Sequence, residues 1–178
     1  MKAQHTSALK RNPAQKVQNK ADFTCRKLSV SIDVHKMRWQ VAVYYEGLIL
    51  SNVSIEGSSE ALVTHLRKYY GDAHFTCVYE SGPFGFSLCR SLWAAGMECM
   101  VVNPADIPGT DKERRSKTDK VDARKLATHL AARLLHPVHV PTEKLQKQRS
   151  LIRFRKKHWG DLCRAKNRLK SELRFQGL

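Results

Sequence analysis

From residue 28 to residue 55 apolar and polar side chains alternate in three successive runs. Leu28, Val30, Ile32 and Val34 are interleaved with Ser29, Ser31 and Asp33, the two-residue period of a strand with one apolar face. Asp33 then belongs to the opposite face. Trp39, Val41, Val43 and Tyr45 form the second run, Glu46-Gly47 makes a turn, and LILSNVSI at 48–55 gives the third, so the pattern predicts a three-stranded meander. Gly57 and Ser58 interrupt it. With Ser58 as N-cap, Leu62, Val63, Leu66, Tyr69 and Tyr70 recur at helical spacing and predict a helix of about 12 residues. FTCVY at 75–79 reads as a short buried strand ending at Glu80, and Ser81-Gly82-Pro83 makes a tight turn in which glycine supplies unusual backbone angles. A second helix carries Phe86, Leu88, Cys89, Leu92 and Trp93 and is closed by Gly96. ECMVV at 98–102 is a fifth strand stopped by Asn103-Pro104, and a polar loop over 103–117 leads into a helix beginning near Thr118. The predicted order is βββαβαβα.

Both ends depart from this pattern. Residues 1–25 are polar, basic and aperiodic, which predicts a disordered arm. Beyond about Thr142, Leu145, Ile152, Trp159 and Leu173 keep a seven-residue spacing broken only by Lys166, with Leu162 and Leu169 three residues after members of the series. That is an imperfect heptad seam, since Gln148, Arg155 and Gln176 occupy matching second positions. The expected organisation is a basic arm at 1–27, an α/β domain at 28–140 and a basic helical or coiled-coil segment at 141–178, with dimerisation or higher assembly through the helical arm.

Charge follows the same division. The chain of 178 residues carries a formal +16, yet residues 28–140 are nearly balanced, and the surplus sits in 1–27, with seven basic side chains to one acidic, and in 141–178, with twelve to three. Two cationic flanks around a near-neutral middle point to a polyanionic partner, nucleic acid above all. Five cysteines, odd in number and without a CxxC pair, argue against a disulfide framework or a structural zinc site and fit a reducing cytoplasm. No apolar run reaches membrane-spanning length and no leader is evident, which predicts a soluble cytoplasmic protein with no membrane partner.

The segment RRSKTDKVDARKLATHL at 114–130 holds the main chemical signal. Asp119 and Asp122 are i and i+3 on the predicted helix, and Leu126 and Leu130 continue their stripe toward the core. Acids in a first turn also favour the helix dipole, and Ser116 with Asp119 can form a capping box. Those roles do not explain why both acids align with leucines, because an inward carboxylate is costly unless a cation compensates it. Asp33, near the end of the first strand, and Glu80, at the end of the fourth, stand where such a cation could be shared. Taken singly, Asp33 can begin a turn and Glu80 can be a solvated strand end. Taken together, the arrangement β(Asp)ββαβ(Glu)αβα(Asp-x-x-Asp) has the order of a ribonuclease H-like domain, and four hard oxygen donors suit Mg²⁺ or Mn²⁺.

SIDVHK at 31–36, YESGPFGFSL at 79–88 and VVNPADIPGTDKERRSKTDKVDARKLA at 101–127 strongly resemble the DEDD transposases of the insertion-sequence 110 family. The resemblance covers about residues 28–178. It implies a RuvC-like catalytic domain with a mixed five-stranded sheet, with Asp33, Glu80, Asp119 and Asp122 as the four catalytic and metal-binding acids. It also implies donor and target DNA as substrates, a bridge-type noncoding RNA as guide, and a relationship to the Piv-type DNA invertases. Family members continue into a second domain that supplies a serine nucleophile. Nothing up to the final LRFQGL corresponds to it, so the expectation is the N-terminal catalytic part of a transposase whose full activity needs that serine domain.

Nucleic-acid contacts are expected from Lys36, beside His35 just after Asp33, from Arg114, Arg115, Lys117, Lys120 and Arg124 around the acid pair, and from Arg153, Arg155, Lys156 and Lys157 on the helical arm. Each also reads as a solvated surface charge. Phe154 and Trp159 read as coil or core residues before base-stacking platforms. Two other functions fit the same residues: a RuvC-like metal-dependent junction nuclease, which needs no serine, and a non-catalytic nucleic-acid-binding remnant of a transposase.

Overall fold

The computed structural model describes residues 23–107 and 119–178. Five strands, β1 (Lys27–Asp33), β2 (Arg38–Tyr45), β3 (Leu48–Glu56), β4 (His74–Glu80) and β5 (Glu98–Val102), form one sheet in the order β3-β2-β1-β4-β5. β1, β2 and β3 are the antiparallel meander, while β4 and β5 run parallel to β1. Helices α1 (Ser59–Tyr70) and α2 (Ser87–Ala94) provide the crossovers, and α3 (Asp119–Ala131) and α4 (Glu143–Phe175) follow. This mixed five-stranded sheet followed by helices is a ribonuclease H-like, RuvC-like fold with a helical arm. The predicted basic arm up to Asp22, and the loop bearing Arg114, Arg115, Ser116 and Lys117, lie outside the described residues.

The alternation in the sequence becomes a core on one side of the sheet. Leu28, Val30 and Ile32 of β1, Val41 and Val43 of β2, and Phe75, Cys77 and Tyr79 of β4 pack with Leu62, Leu66 and Tyr70 of α1 and Leu88, Cys89 and Leu92 of α2. Ser58 caps α1 by accepting a hydrogen bond from the Ala61 amide at 3.1 Å, as its position before the apolar stripe predicts. Phe23, within the stretch expected to be disordered, instead sets its ring edge-on against Tyr45 and Tyr70. All five cysteines are free thiols.

The other face is not solvated. Ser31, Gln40 and Ala42, the polar or small positions of β1 and β2, are buried because α3 lies across them. Ala42 meets Ala123 and Ala127, and Val78 and Val102 meet Leu126, Leu130 and Leu135. Alanines on both sides let the helix axis approach the sheet closely at this point. The chain after α3 returns along the sheet edge, where the Val138 amide donates to the Val101 carbonyl at 2.7 Å.

α4 is different in kind. It is one continuous helix of 33 residues, about 50 Å long at 1.5 Å per residue, and none of its residues is buried. Thr142 caps it through the Leu145 amide. Arg90 of α2 fastens its start by donating to the Pro141 carbonyl at 2.7 Å and to Gln146 Oε1 at 2.6 Å. The heptad residues Leu145, Ile152, Trp159, Leu162, Leu169 and Leu173 are all exposed along it.

Replacing Ala127 with Leu would force α3 off the sheet. The expected destabilisation is about 1–3 kcal/mol, typical of overpacking a filled interface, read as a lowered midpoint in urea denaturation. An unchanged midpoint would show that the helix is not seated on Ala42.

Candidate metal centre

β1 and β4 are parallel neighbours whose final registered pair is Ile32 with Tyr79. Asp33 and Glu80 come next on each strand. Both belong to the face shared by Ser31 and Val78, the one α3 covers, and adjacent strands are about 4.8 Å apart. The first turn of α3 supplies Asp119 and Asp122. Two hydrogen bonds fix that turn against the sheet, and a third orients one of the donors. The Ser31 hydroxyl donates to the Ala123 carbonyl, the Asn52 amide donates to the Lys120 carbonyl at 2.8 Å, and the Gln40 amide donates to Asn52 Oδ1.

The result is a cleft of about 160 Å³ walled by Ile32, Asp33, His35, Glu80, Asp119, Asp122, Ala123 and Leu126. All four acids singled out in the sequence therefore meet on one surface. His35, which follows β1 just before Lys36, joins them: its Nε2 lies 3.0 Å from Asp33 Oδ2 and 3.7 Å from Asp119 Oδ2. The burial of the acids is uneven. Asp122 is half-buried above Ala123 and Leu126, whereas the Asp119 side chain is 66% exposed, so it edges the cleft where the leucine stripe had predicted an inward position.

The donor set fits a divalent cation. One ligand atom from each of Asp33, His35 and Asp119 falls within 4.8 Å of the other two. Donors about 2.1 Å from a shared ion are about 3.0 Å apart at right angles and about 4.2 Å apart across it. Glu80 and Asp122 add carboxylates on the same walls. Carboxylate oxygens are the donors that Mg²⁺ and Mn²⁺ prefer.

A second cleft of about 310 Å³ shares His35 as a wall and includes Lys36, Ser58, Ser59, Phe84 and Ser87. Lys36 is exposed beside the acids, as are Lys120 and Arg124 on α3. Arg153, Arg155, Lys156 and Lys157 are exposed along α4, remote in sequence from the cleft. Phe154 and Trp159 are also exposed, with no core of their own in the single chain. The turn after Glu80 uses a different glycine from the one expected. Gly85, not Gly82, takes the positive φ of 67°, and its carbonyl accepts from the Tyr79 hydroxyl at 3.0 Å. The Ser81 amide donates to the Val102 carbonyl at 2.7 Å and so holds the chain just after Glu80 against β5.

Residues 30–176 match the family model of the insertion-sequence 110 DEDD transposases, described as transposase. The chain belongs to this family. Among its relatives, a protein of Sinorhizobium fredii named as transposase y4qE is 36% identical over 140 residues, covering 76% of this chain and 35% of the relative. The transposase for insertion sequence element IS1533 of Leptospira borgpetersenii is 31% identical over 150 residues, covering 81% of this chain and 42% of the relative. A second Sinorhizobium fredii protein, named as transposase y4rJ, is 37% identical over 107 residues, covering 57% and 27%. The chain thus spans less than half the length of these curated relatives. It carries a transposase-family catalytic domain with a cluster of Asp and His side chains able to chelate a divalent metal. No helix among the described residues is long and apolar enough to cross a membrane.

Ser31 tests how the site is positioned, because it touches α3 without lining the cleft. Ser31→Ala removes one buried hydrogen bond, so stability should fall by about 0.5–1.5 kcal/mol, and divalent-metal affinity should fall with it as α3 loosens. Calorimetric titration alongside thermal unfolding reads both, and undiminished values in both would separate the site from this contact.

Proposed function

We propose that this chain is the metal-binding catalytic part of an RNA-guided DNA transposase, working in the cytoplasm. Support comes from one observation above the rest: within a transposase-family domain, acids from β1, β4 and α3 line a single cleft. Asp33, Glu80, Asp119 and Asp122 would hold Mg²⁺ or Mn²⁺. When bound, such ions supply Lewis-acid stabilisation of the attacking and departing oxygens in phosphodiester displacement. The chain's own residues do the rest of the work at this site. The carboxylates would hold the ions where β1, β4 and the first turn of α3 meet, and Lys36, Lys120 and Arg124 would hold the flanking backbone of donor or target DNA.

The exposed cations of α4, Arg153, Arg155, Lys156 and Lys157, bind a polyanion, which we assign to a bridge-type noncoding RNA. The exposed apolar seam on the same helix pairs with a second copy, because six large hydrophobic side chains at heptad spacing are otherwise left in water.

Three measurements test this reading. Asp33→Asn, Glu80→Gln, Asp119→Asn and Asp122→Asn should each weaken Mn²⁺ binding at least about tenfold, by analogy with the loss of supporting contacts in metal sites, and binding left intact in all four would refute the assignment. The purified chain with Mg²⁺ should leave a synthetic four-way junction uncut; cutting abolished by Asp33→Asn would favour a junction nuclease instead. In parallel, replacing Arg153, Arg155, Lys156 and Lys157 with Ala should flatten the salt dependence of RNA binding. Each lost phosphate contact reduces the log–log slope by roughly 0.7 for a single strand. An unchanged slope would place the polyanion elsewhere.

A further inference from the structure

The cleft contains one donor that is not a carboxylate. We propose that the His35 imidazole is a nitrogen ligand to the ion held by Asp33 and Asp119, and that this donor biases the centre toward Mn²⁺ over Mg²⁺. The inference rests on the reading of the cleft as a metal centre and adds the ligand that sets its metal preference.

His35 lies two residues beyond Asp33, just past the end of β1, with its ring beside the Asp33 carboxylate. Its Nε2, at 3.0 Å from one carboxylate and 3.7 Å from the other, keeps the spacing of donors about 2.1–2.2 Å from a common ion at angles between about 90° and 120°. A surface histidine on a free turn would sample many positions. This one does not have a free turn. The buried Trp39 indole donates to the His35 carbonyl at 3.0 Å, and the Gly57 amide donates to the Met37 carbonyl at 3.0 Å. Gly57 approaches so closely that a Cβ there would sit 3.0 Å from the Met37 carbonyl carbon and 3.2 Å from the Trp39 indole nitrogen. The corner between β3 and α1 therefore clamps the β1–β2 turn from behind and leaves His35 only its two side-chain torsions. Ordering those torsions on ligation sacrifices little entropy.

The chemical consequence concerns metal choice. Mg²⁺ dehydrates reluctantly and favours carboxylate oxygens and retained waters, whereas an imidazole nitrogen is a good donor to first-row transition ions. A centre of four carboxylates accepts Mg²⁺ and Mn²⁺ alike. Adding His35 strengthens binding of Mn²⁺ while giving Mg²⁺ little.

The test is electron spin-echo spectroscopy of the Mn²⁺-loaded chain, paired with calorimetric titration of each metal. The wild type should show modulation from a directly bound imidazole nitrogen, which His35→Ala abolishes. The same variant should lower Mn²⁺ affinity about tenfold and Mg²⁺ affinity less than about threefold, magnitudes typical of losing one contact at a metal site. Gly57→Ala, which keeps the imidazole but displaces its turn, should weaken the nitrogen signal in a chain whose circular dichroism is native. Absence of nitrogen modulation in the wild type, while Asp33→Asn still abolishes Mn²⁺ binding, would overturn the role of His35 and leave the carboxylate centre standing. Mn²⁺ binding that survives Asp33→Asn would instead strike the centre itself.

Discussion

The packing of α3 across the second face of the sheet is the constraint on which the site depends. Asp33 and Glu80 are placed by strand pairing alone, since β1 and β4 end in register. Asp119 and Asp122 are 39 or more residues further along the chain and reach them only because Ala123 and Ala127 seat against Ala42. Small side chains there bring the helix close, and the Ser31 and Asn52 hydrogen bonds fix its rotation and its position along the sheet. Larger residues at these contacts would push α3 away from the sheet and separate the two pairs of acids.

A division of labour follows from that geometry. The α1 and α2 side of the sheet carries the larger core, built from Leu, Val, Ile and aromatic side chains, and it stabilises the domain. The α3 side is more polar and carries the four acids of the cleft. The middle of the chain is nearly neutral and sets four of its acids around one cleft, while α4 carries a surplus of exposed cations. Coupling between the two begins at Arg90, which bonds to the Pro141 carbonyl and Gln146 at the root of the arm.

Much of this was legible in the sequence, for identifiable reasons. Strict alternation from Leu28 to Val34 revealed both β1 and the face of Asp33, and heptad spacing revealed α4 as a long helix. The burial of Ser31, Gln40 and Ala42 was not legible, because polar and small residues look solvated until a helix is known to cover them. The pairing of Asp33 with Glu80 depended on a parallel contact between strands more than 40 residues apart, which residue order suggests but does not position. His35 could have been noticed, because a histidine two positions from a carboxylate is a recognisable donor pair. The positive φ at Gly85 had no such signal, since three glycine or proline residues compete for the turn.

Anomalous diffraction from Mn²⁺-soaked crystals measures the central claim most directly. A manganese peak within coordination distance of Asp33 and Asp119 carboxylate oxygens is the predicted result. Density for manganese only at other surface carboxylates, with the cleft between β1, β4 and α3 filled by water, would contradict the account.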